Sequence, residues 1–309
     1  MDGLVINLGI IGLSPENGHP YSFSAIINGF DEVEMEKSGW TGILNYLRKA
    51  PANKIGFDDA NITHVWTQDA SISDSISKSC YIDNIVNNYT DMVNSVDGVI
   101  IARDDFKRHL EMARPFLENG IPVFVDKPLT TSEVEMEYYL PFLESGLLMS
   151  CSGLRYAKEL DPLRLNPEGL IGELRGISCG VVNGWEKYGI HMLDAILGVY
   201  PHIIPSRIIR HPSSGESITL ETSNNEVIHI HCLGKNAPLF SLTFFGENGV
   251  FTTNISDNFT AFSRTMRQFV KQVKSGSPSI PVDITKVSME VIGAGSRVSE
   301  GEIIEFQTS

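Results

Sequence analysis

The first half of the chain alternates short apolar runs with segments of helical pattern, and this alternation constrains the fold more than any other feature. The first run barely alternates between polar and apolar residues, which is typical of a strand buried on both faces. Strands that alternate with helices form right-handed βαβ units and a parallel sheet. The predicted strands are Leu4 to Ile11, Ile62 to Thr67, Gly98 to Ala102 and Val123 to Val125.

The pattern changes after Pro128. Turn signals separate several strand-like runs, and no long helix intervenes between them, so a largely antiparallel sheet is predicted. With 309 residues the chain exceeds what one core usually supports, and two domains are expected. We predict an α/β protein with a dinucleotide-binding, Rossmann-type domain over residues 1–128. A substrate-binding and oligomerisation α+β domain with a large, mostly antiparallel sheet is predicted over residues 129–309.

Residues 30–61 form an insertion between the first helix and the second strand of the predicted Rossmann-type domain. A compact crossover rarely carries such a connection unless the connection has structure of its own. Thr41 to Lys49 has the pattern of one short helix within it. The sequence leaves two interpretations open: the insertion covers the nucleotide side of the domain, or it is a solvated flap.

Charge and composition exclude several classes of protein. The formal net charge is -14 and the pI is about 5.0, so the chain repels nucleic acid backbones. No apolar run reaches the ~18 residues of a membrane span, and the acidic first residues do not resemble a signal peptide, so a cytoplasmic location is expected. The four cysteines form no Cys-x-x-Cys pair, which argues against a zinc knuckle or redox motif.

The loop after the first strand is where a dinucleotide fold places its glycine-rich turn. Gly12 can be the first glycine of that turn, Ser14 stands in place of the second, and Gly18 arrives one residue late. Ser14 can bond a phosphate, but a purely structural turn remains an alternative. His19 follows directly, and we interpret it as a turn histidine with a solvated ring, with a phosphate contact as the other possibility.

The end of the second strand normally carries an acid that binds the ribose hydroxyls of the cofactor. Either Asp69 is that acid or Gln68 holds its place. A glutamine there would discriminate less against a ribose phosphate. The sequence therefore predicts NAD or NADP as the cofactor without choosing between them.

Lys127 stands at the end of a probable parallel strand, in the turn Asp126-Lys127-Pro128. Proline cannot continue a strand ladder and favours extended geometry in the residue before it. Because ligands of open α/β sheets bind outside the carboxyl ends of the strands, Lys127 is either half of a surface ion pair or a catalytic group.

His191 and Asp194 are three residues apart in a predicted helix from Tyr188 to Leu197, and so lie on one helical face. Gly189 is interpreted as a helix-opening glycine. The pair is either catalytic or a core histidine bonded to an acid. Two ligands do not make a metal cluster, and no metal site is predicted.

Several segments, taken in this order along the chain, resemble the glucose–fructose oxidoreductase / inositol dehydrogenase (Gfo/Idh/MocA) superfamily. Asp126 stands where the family has glutamate in its Glu-Lys-Pro motif. The segments are Val99 to Ala102 with His109 after it, Gly120 to Pro128, Gly169 to Arg175 and Gly189 to Asp194.

This resemblance implies the two-domain fold and a nicotinamide cofactor. It further implies that Lys127 orients or deprotonates a carbinol and that His191 is the general acid/base. The substrate it implies is a sugar, a cyclitol or a sugar derivative. It also implies a homodimer or homotetramer formed through the open face of the second sheet. The residues expected to line a polar substrate are Arg155, Trp185, Lys187 and Tyr188.

The sequence departs from the family pattern mainly around the cofactor. Ala102-Arg103-Asp104-Asp105 places charges where the nicotinamide ribose would pass, and Arg103 is counted with Asp126 among the cofactor-side residues. Two hypotheses follow. The first is an NAD(P)-dependent dehydrogenase. The second is a non-redox family member that has lost cofactor binding and serves as a ligand-binding or partner subunit.

Overall fold

The computed structural model describes residues 5–213, 215–237 and 239–306. Leu4, the predicted first residue of the first strand, lies outside these ranges, as does Pro238, where the pattern of the second half predicts a strand from Pro238 to Phe245. The chain forms two compact units. The first contains residues 1–130, 134–151 and 262–282, and the second contains residues 131–133, 152–261 and 283–309.

The first unit is built on a parallel sheet, as predicted. Among the described residues it has six strands in the order β3-β2-β1-β4-β5-β6, which is the strand order of a doubly wound dinucleotide-binding sheet. Leu8, Ile10 and Ile100 are fully buried, because helices cover both faces. The strands are β1 (Ile6–Ile11), β2 (Ala60–Trp66), β3 (Asn84–Ile85), β4 (Gly98–Ile101), β5 (Val123–Val125) and β6 (Leu148–Ser150).

The helices between these strands follow the predicted alternation. Their bounds are α1 (His19–Asn28), α2 (Glu32–Lys37), α3 (Thr41–Lys49), α4 (Ala70–Cys80), α5 (His109–Leu117) and α6 (Glu133–Glu144).

The insertion is structured and contains α2 and α3. Asp31 caps α2 by accepting a hydrogen bond from the backbone N–H of Glu34 at 2.9 Å, and α3 buries one apolar face through Leu44 and Leu47. Ile43, with Trp40 just before the helix, packs against Gly18. The insertion therefore covers the loop after β1 and is not a solvated flap.

The first unit continues beyond residue 128, which differs from the predicted boundary. β6 pairs with β5 in parallel, with Val123 opposite Leu148. The side chain of Gln272 then donates hydrogen bonds to the carbonyl oxygens of Gly146 and Leu148 at 3.0 and 3.1 Å. Residues well past the Asp-Lys-Pro turn thus complete the core of this unit.

The second unit is built on a mostly antiparallel sheet, as predicted. Its order among the described residues is β12-β11-β7-β10-β9-β8-β13. Each pairing is antiparallel except that of β7 with β10. The strands are β7 (Leu174–Val181), β8 (Pro205–His211), β9 (Glu216–Thr222), β10 (Val227–Cys232), β11 (Phe240–Gly246), β12 (Val250–Asn254) and β13 (Ile303–Glu305).

One face of this sheet is buried. Along β7 the side chains of Ile177, Cys179 and Val181 point into the core, while Ser178 lies on the other, partly open face. The remaining helices of the chain are α7 (Asp161–Leu165), α8 (Pro167–Ile171), α9 (Trp185–Leu197), α10 (Asn258–Ser275) and α11 (Val282–Arg297). None of the described helices is both long and apolar enough to cross a membrane.

Helix α9 begins at Trp185, three residues before the predicted start. The indole ring is fully buried, and its Nε1 donates a hydrogen bond to the carbonyl oxygen of Ile292 at 3.1 Å. Gly189 lies inside the helix, where an added Cβ would stand 2.6 Å from this ring. The interpretation of Gly189 as a helix-opening residue is therefore wrong: it is small because Trp185 packs against it.

Candidate functional site

The loops that follow β1, β2, β4 and β5 meet at one edge of the parallel sheet, because parallel strands share the direction of their carboxyl ends. The predicted cofactor-side residues lie in these loops. They are Gly12, Ser14 and Gly18 after β1, Gln68 and Asp69 after β2, Arg103 after β4, and Asp126 beside Lys127 after β5.

The side chain of Gln68 is hydrogen-bonded to the backbone of the loop after β1. The side-chain amide of Gln68 donates a hydrogen bond to the carbonyl oxygen of Leu13 at 2.6 Å and accepts one from the Leu13 N–H at 3.1 Å. The N–H of Gly12 is bonded to the carbonyl oxygen of Trp66 at 3.0 Å. The first backbone donors of the loop are therefore used inside the protein.

Ser14 ties the same loop to the end of β4. Its hydroxyl donates a hydrogen bond to a carboxylate oxygen of Asp104 at 2.7 Å and accepts one from the Asp104 N–H at 3.1 Å. Ser14 is fully buried. The Ser14 hydroxyl, which was predicted as a possible phosphate ligand, thus donates its hydrogen bond to a carboxylate.

Arg103 is buried in a polar cluster at the same edge. Its guanidinium donates two hydrogen bonds to the carboxylate of Asp105, at 2.8 and 2.6 Å, and a third to the side-chain oxygen of Gln68 at 2.8 Å. Burial pushes the pKa of Asp105 upward, but the hydrogen bonds and charge of Arg103 hold that pKa below its usual value. Arg103 therefore holds together the loops that follow β2 and β4.

The glycine positions of the loop are filled by the protein. A Cβ on Gly12 would stand 2.3 Å from the ring of Pro20, and one on Gly18 would stand 2.6 Å from Trp40 and Ile43. Pro20 also removes one N–H from the first turn of α1. With the N–H groups of Leu13, Asn17 and His19 also bonded inside the protein, this loop offers a pyrophosphate fewer free donors than a glycine-rich turn usually supplies.

Asp69 caps the next helix. Its carboxylate accepts hydrogen bonds from the N–H and the hydroxyl of Ser71, at 2.8 and 2.7 Å, and it is the N-cap of α4. Its side chain is exposed. These hydrogen bonds lower the pKa of Asp69, so it is an ionised acid at the place where a ribose-binding acid was predicted.

His19 does not have the solvated ring that the sequence suggested. Its Nδ1 is 2.5 Å from a carboxylate oxygen of Asp126, and its side chain is only 19% exposed. The partners are 107 residues apart, so no local pattern indicated the contact. The only local signal was the position of His19 at the start of α1, beside the strand ends.

Lys127 is buried, with 5% of its surface exposed, and its N–H donates a hydrogen bond to Asp126 at 2.9 Å. The lysine lies at the carboxyl edge of the parallel sheet, as predicted. Burial of this extent argues against the alternative of a surface ion pair.

The second unit holds His191 in a separate polar cluster. The Nδ1 of His191 lies 2.6 Å from the hydroxyl oxygen of Ser152. The carboxylate of Asp194 accepts a hydrogen bond from the Ser152 N–H at 2.6 Å and one from the guanidinium of Arg155 at 3.3 Å. A direct bond between the histidine and the acid was one of the two alternatives; in the structure Ser152, which the sequence did not single out, connects them.

Burial dominates the electrostatics of Asp194. It raises the pKa of this carboxyl group above its usual value, although Arg155 and the Ser152 N–H act in the opposite direction. Arg155 is itself buried against Asp194. The structure thus gives Arg155 a structural partner in place of the predicted substrate contact, and Asp194 positions Ser152.

The other three predicted substrate residues differ in burial and in their contacts. Trp185 is a core residue, which contradicts its assignment to the substrate. Lys187 is exposed on α9. The ring of Tyr188 packs edge-on against His191, with 5.1 Å between the ring centroids, and stacks on Phe240 at 6.3 Å. Tyr188 therefore shares the surroundings of His191.

The described residues contain no group of three or more His, Cys, Asp or Glu side chains arranged to hold a metal ion. The polar clusters around Asp126 and His191 contain imidazole, carboxylate and ammonium groups, which are the groups that general acid/base chemistry uses.

Comparison with known proteins supports the family resemblance and the fold that were predicted from the sequence. Residues 41–140 match the family model described as "Oxidoreductase family, NAD-binding Rossmann fold", of the GFO_IDH_MocA family. No curated protein matches the chain. The match confirms the class predicted from the sequence, an oxidoreductase family with an NAD-binding Rossmann fold, and it confirms the resemblance to Gfo/Idh/MocA proteins.

Solved structures extend the fold match to the whole chain. Myo-inositol 2-dehydrogenase from Lactobacillus plantarum is 14% identical, with a TM-score of 0.74, over 98% of this chain and 100% of its own. Apo scyllo-inositol dehydrogenase from Lactobacillus casei is 13% identical, with a TM-score of 0.77, over 99% of each chain. Myo-inositol dehydrogenase from Lactobacillus casei, in complex with NAD(H) and myo-inositol, is 13% identical, with a TM-score of 0.73, over 99% of this chain and 98% of its own. At these identities the likeness shows the fold.

Proposed function

We propose that the protein is an NAD(P)-dependent oxidoreductase that transfers a hydride to or from a carbinol carbon of a sugar, cyclitol or sugar derivative. Lys127 and His191 handle the proton of the carbinol oxygen. The observation that carries the proposal is the buried cluster of His191, Ser152 and Asp194, which holds the histidine in one orientation. The match of residues 41–140 to an oxidoreductase family model supports the same reaction class.

The chemistry requires such a group. A carbinol carbon gives up a hydride only as its hydroxyl loses a proton, so a base that titrates near neutral pH must be within reach. Imidazole meets this requirement without any shift. The bond between Ser152 and Nδ1 of His191 fixes the ring, and Asp194 fixes Ser152 through its backbone N–H.

A polyol substrate is consistent with the residues around the histidine. Tyr188 and Lys187 bring a phenol and an ammonium group to the first turn of α9. The inositol dehydrogenases with the same fold act on cyclitols, as their names state, and two of them were solved with inositol and NAD(H). We extend that substrate class to this chain.

A second candidate function is favoured by the loop after β1. Its backbone donors are bonded to Trp66 and Gln68, and its glycine positions are filled by Pro20 and Trp40. A non-redox member that binds a polyol without a nicotinamide cofactor would have no need for an open pyrophosphate cradle.

Cofactor binding separates the two functions. Calorimetric titration of the purified protein with NAD⁺, NADH, NADP⁺ and NADPH should show binding of at least one of them if the first function holds. Gln68→Ala removes the amide that occupies the Leu13 backbone, and we expect it to tighten that binding. Asn28→Ala is the matched control, because its amide also bonds backbone groups of the first unit, away from the strand ends. Absence of binding to both the wild type and Gln68→Ala would favour the non-redox function.

The acid/base roles are tested on turnover of a polyol panel followed by nicotinamide absorbance. Lys127→Ala and His191→Ala should each lower kcat by roughly 10²–10⁴-fold, the usual contribution of a general acid or base, while cofactor affinity stays near that of the wild type. His202→Gln, a change at an exposed histidine, should leave kcat unchanged. Full turnover in either alanine variant contradicts the role of that residue.

The open face of the second sheet is proposed as the surface through which two or four copies of the chain assemble. Ser178, at the centre of β7, lies on this face. Ser178→Arg would place a charge there without touching the core, and it should lower the mass measured by light scattering after gel filtration. Leu165→Arg, at a side chain that is 85% exposed on α7, is the control. We also propose a cytoplasmic location, which fits four buried cysteines that form no disulfide in the described part of the chain.

A further inference from the structure

His19 and Asp126 form a second imidazole–carboxylate pair, in the first unit and at the edge of the parallel sheet where Lys127 lies. The Nδ1 of His19 is 2.5 Å from Oδ2 of Asp126, and the side-chain amide of Asn17 donates a hydrogen bond to the same oxygen at 3.0 Å. The other carboxylate oxygen accepts the Lys127 N–H at 2.9 Å. The carboxylate is thus held from several sides and is almost completely buried.

The backbone and the ring of His19 are fixed as well. The side-chain oxygen of Asn17 accepts the His19 N–H at 2.8 Å, so Asn17 bridges the histidine and Asp126. The imidazole stacks on Phe23, with 4.8 Å between centroids and 28° between planes, and meets the edge of Phe262 at 5.1 Å. The ring therefore has one defined orientation.

The charge of the acid is also secured. Burial alone would raise the pKa of Asp126, but the charge of His19, its hydrogen bond, Lys127 and Asn17 together hold that pKa well below its usual range. A carboxylate hydrogen-bonded to Nδ1 selects the tautomer that carries its proton there. This arrangement leaves Nε2 as the nitrogen that exchanges protons.

Nε2 of His19 has no hydrogen-bond partner within the part of the chain that the structure describes, and the side chain keeps 19% of its surface exposed. A histidine bonded on one nitrogen and accessible on the other has the geometry of a proton-transfer group.

We propose that His19, oriented by Asp126, is an acid/base group of the active site in addition to Lys127 and His191. The inference rests on the proposed oxidoreductase function and adds a proton-handling residue to it. In the direction of oxidation the O–H bond of a substrate hydroxyl or of a bound water breaks, and the proton forms an N–H bond at Nε2. The imidazolium, held at Nδ1 by Asp126, then returns that proton to solvent. In the reverse direction His19 donates it.

The first test needs no turnover. In protein labelled with ¹⁵N-histidine, the nitrogen shifts of neutral His19 should show the proton on Nδ1. Asp126→Asn should reduce the population of that tautomer, and His19→Gln identifies the resonance. A neutral His19 with its proton on Nε2 would overturn the proposal, because Nε2 could not then accept one.

The second test uses turnover and chemical rescue. His19→Gln should lower kcat by roughly 10²–10⁴-fold while the chain still melts cooperatively, and His202→Gln should leave kcat unchanged. His19→Ala opens a space beside Phe23 and Phe262, and added imidazole should restore part of its kcat. A structural histidine would give no such rescue.

The outcomes separate this inference from the proposed function. If the wild type turns over a polyol and His19→Gln keeps the wild-type kcat, His19 is not an acid/base group and the oxidoreductase function stands. If His19→Gln loses activity and added imidazole restores no kcat to His19→Ala, the residue is structural and the inference fails. If the wild type binds no nicotinamide cofactor and turns over nothing, both fail.

Discussion

At the scale of single residues, the parallel-sheet edge depends on carboxylates that neighbouring side chains hold in place. Asp104 is bonded to Ser14, Asp105 to Arg103 and Asp126 to His19. Each bond joins loops that follow different strands or fixes a loop on itself. The charged residues that were predicted to lie in a cofactor site therefore also hold these loops together.

Asp126 should make the stability of the protein depend on acid pH. Its pKa is lower in the folded chain than the ~3.9 of an unfolded aspartate, so the unfolded chain binds more protons between these two values. The stabilisation is therefore fully present above the unfolded pKa and is lost as the pH falls through the folded pKa. In urea unfolding experiments, wild type should exceed Asp126→Asn in unfolding free energy at pH 7, and the difference should shrink below about pH 4.

The control for this prediction is Asp58→Asn, at an exposed aspartate of the first unit. It should change neither the unfolding free energy nor its pH dependence appreciably. A difference between wild type and Asp126→Asn that stays constant from pH 7 down to the acid transition would show that Asp126 acts through packing alone.

The sequence located some of these residues and missed others for one physical reason. Lys127 could be placed because it ends a strand whose pattern is local. The pairing of His19 with Asp126 and the bridge from Ser152 to His191 join residues 107 and 39 positions apart. Such contacts depend on which loops the fold brings together, and no local pattern contains that information.

At the scale of elements, strong local patterns were sufficient for the buried strands and the longer helices. The insertion helix was predicted over Thr41 to Lys49, which are the bounds of α3. β3 and β12 are edge strands, short or largely exposed, and were missed because they lack a buried face that would make their pattern apolar. The start of α9 was misplaced because its first residue, Trp185, is buried by tertiary contacts with α11.

Gly295 on α11 should be intolerant of a side chain because of Trp185. An added Cβ would stand 2.4 Å from the indole ring, which is fully buried and cannot move aside. Gly295→Ala should therefore lower the unfolding free energy by about 1–3 kcal/mol, the usual cost of overpacking a core. Thermal and urea unfolding measure this directly.

The matched control is Gly42→Ala in α3, where no atom lies within 4 Å of the added Cβ. Alanine is a better helix former than glycine and lowers the entropy of the unfolded chain. The control should therefore be neutral or stabilising by up to about 1 kcal/mol. Equal destabilisation by the two substitutions would argue against the packing explanation.

At the scale of the whole molecule, the chain passes more than once between its two units. Residues 134–151 and 262–282 belong to the first unit, although they follow the Asp-Lys-Pro turn. The change in sequence pattern after Pro128 marked where the alternation of strands and helices weakens. It could not show that β6 returns to the parallel sheet, because a three-residue apolar strand has no periodicity of its own.

A fragment of residues 1–128 should consequently fail to fold on its own. It lacks β6, so β5 would become an open edge, and it lacks Phe269, whose ring packs 5.9 Å from that of Phe124. Phe124 is 1% exposed in the intact chain and would be uncovered. We expect no cooperative thermal transition by circular dichroism and strong binding of a hydrophobic dye.

The control is a chain that joins residues 1–151 to residues 262–282 through a flexible Gly/Ser linker and so contains the whole first unit. It restores β6, Phe269 and Gln272, whose side chain also accepts the Ser279 N–H at 2.9 Å, and it should melt cooperatively. A cooperative transition in the 1–128 fragment would show that the later segments only decorate a core that is already complete. Cooperative melting of the joined chain alone would show that those segments are part of that core.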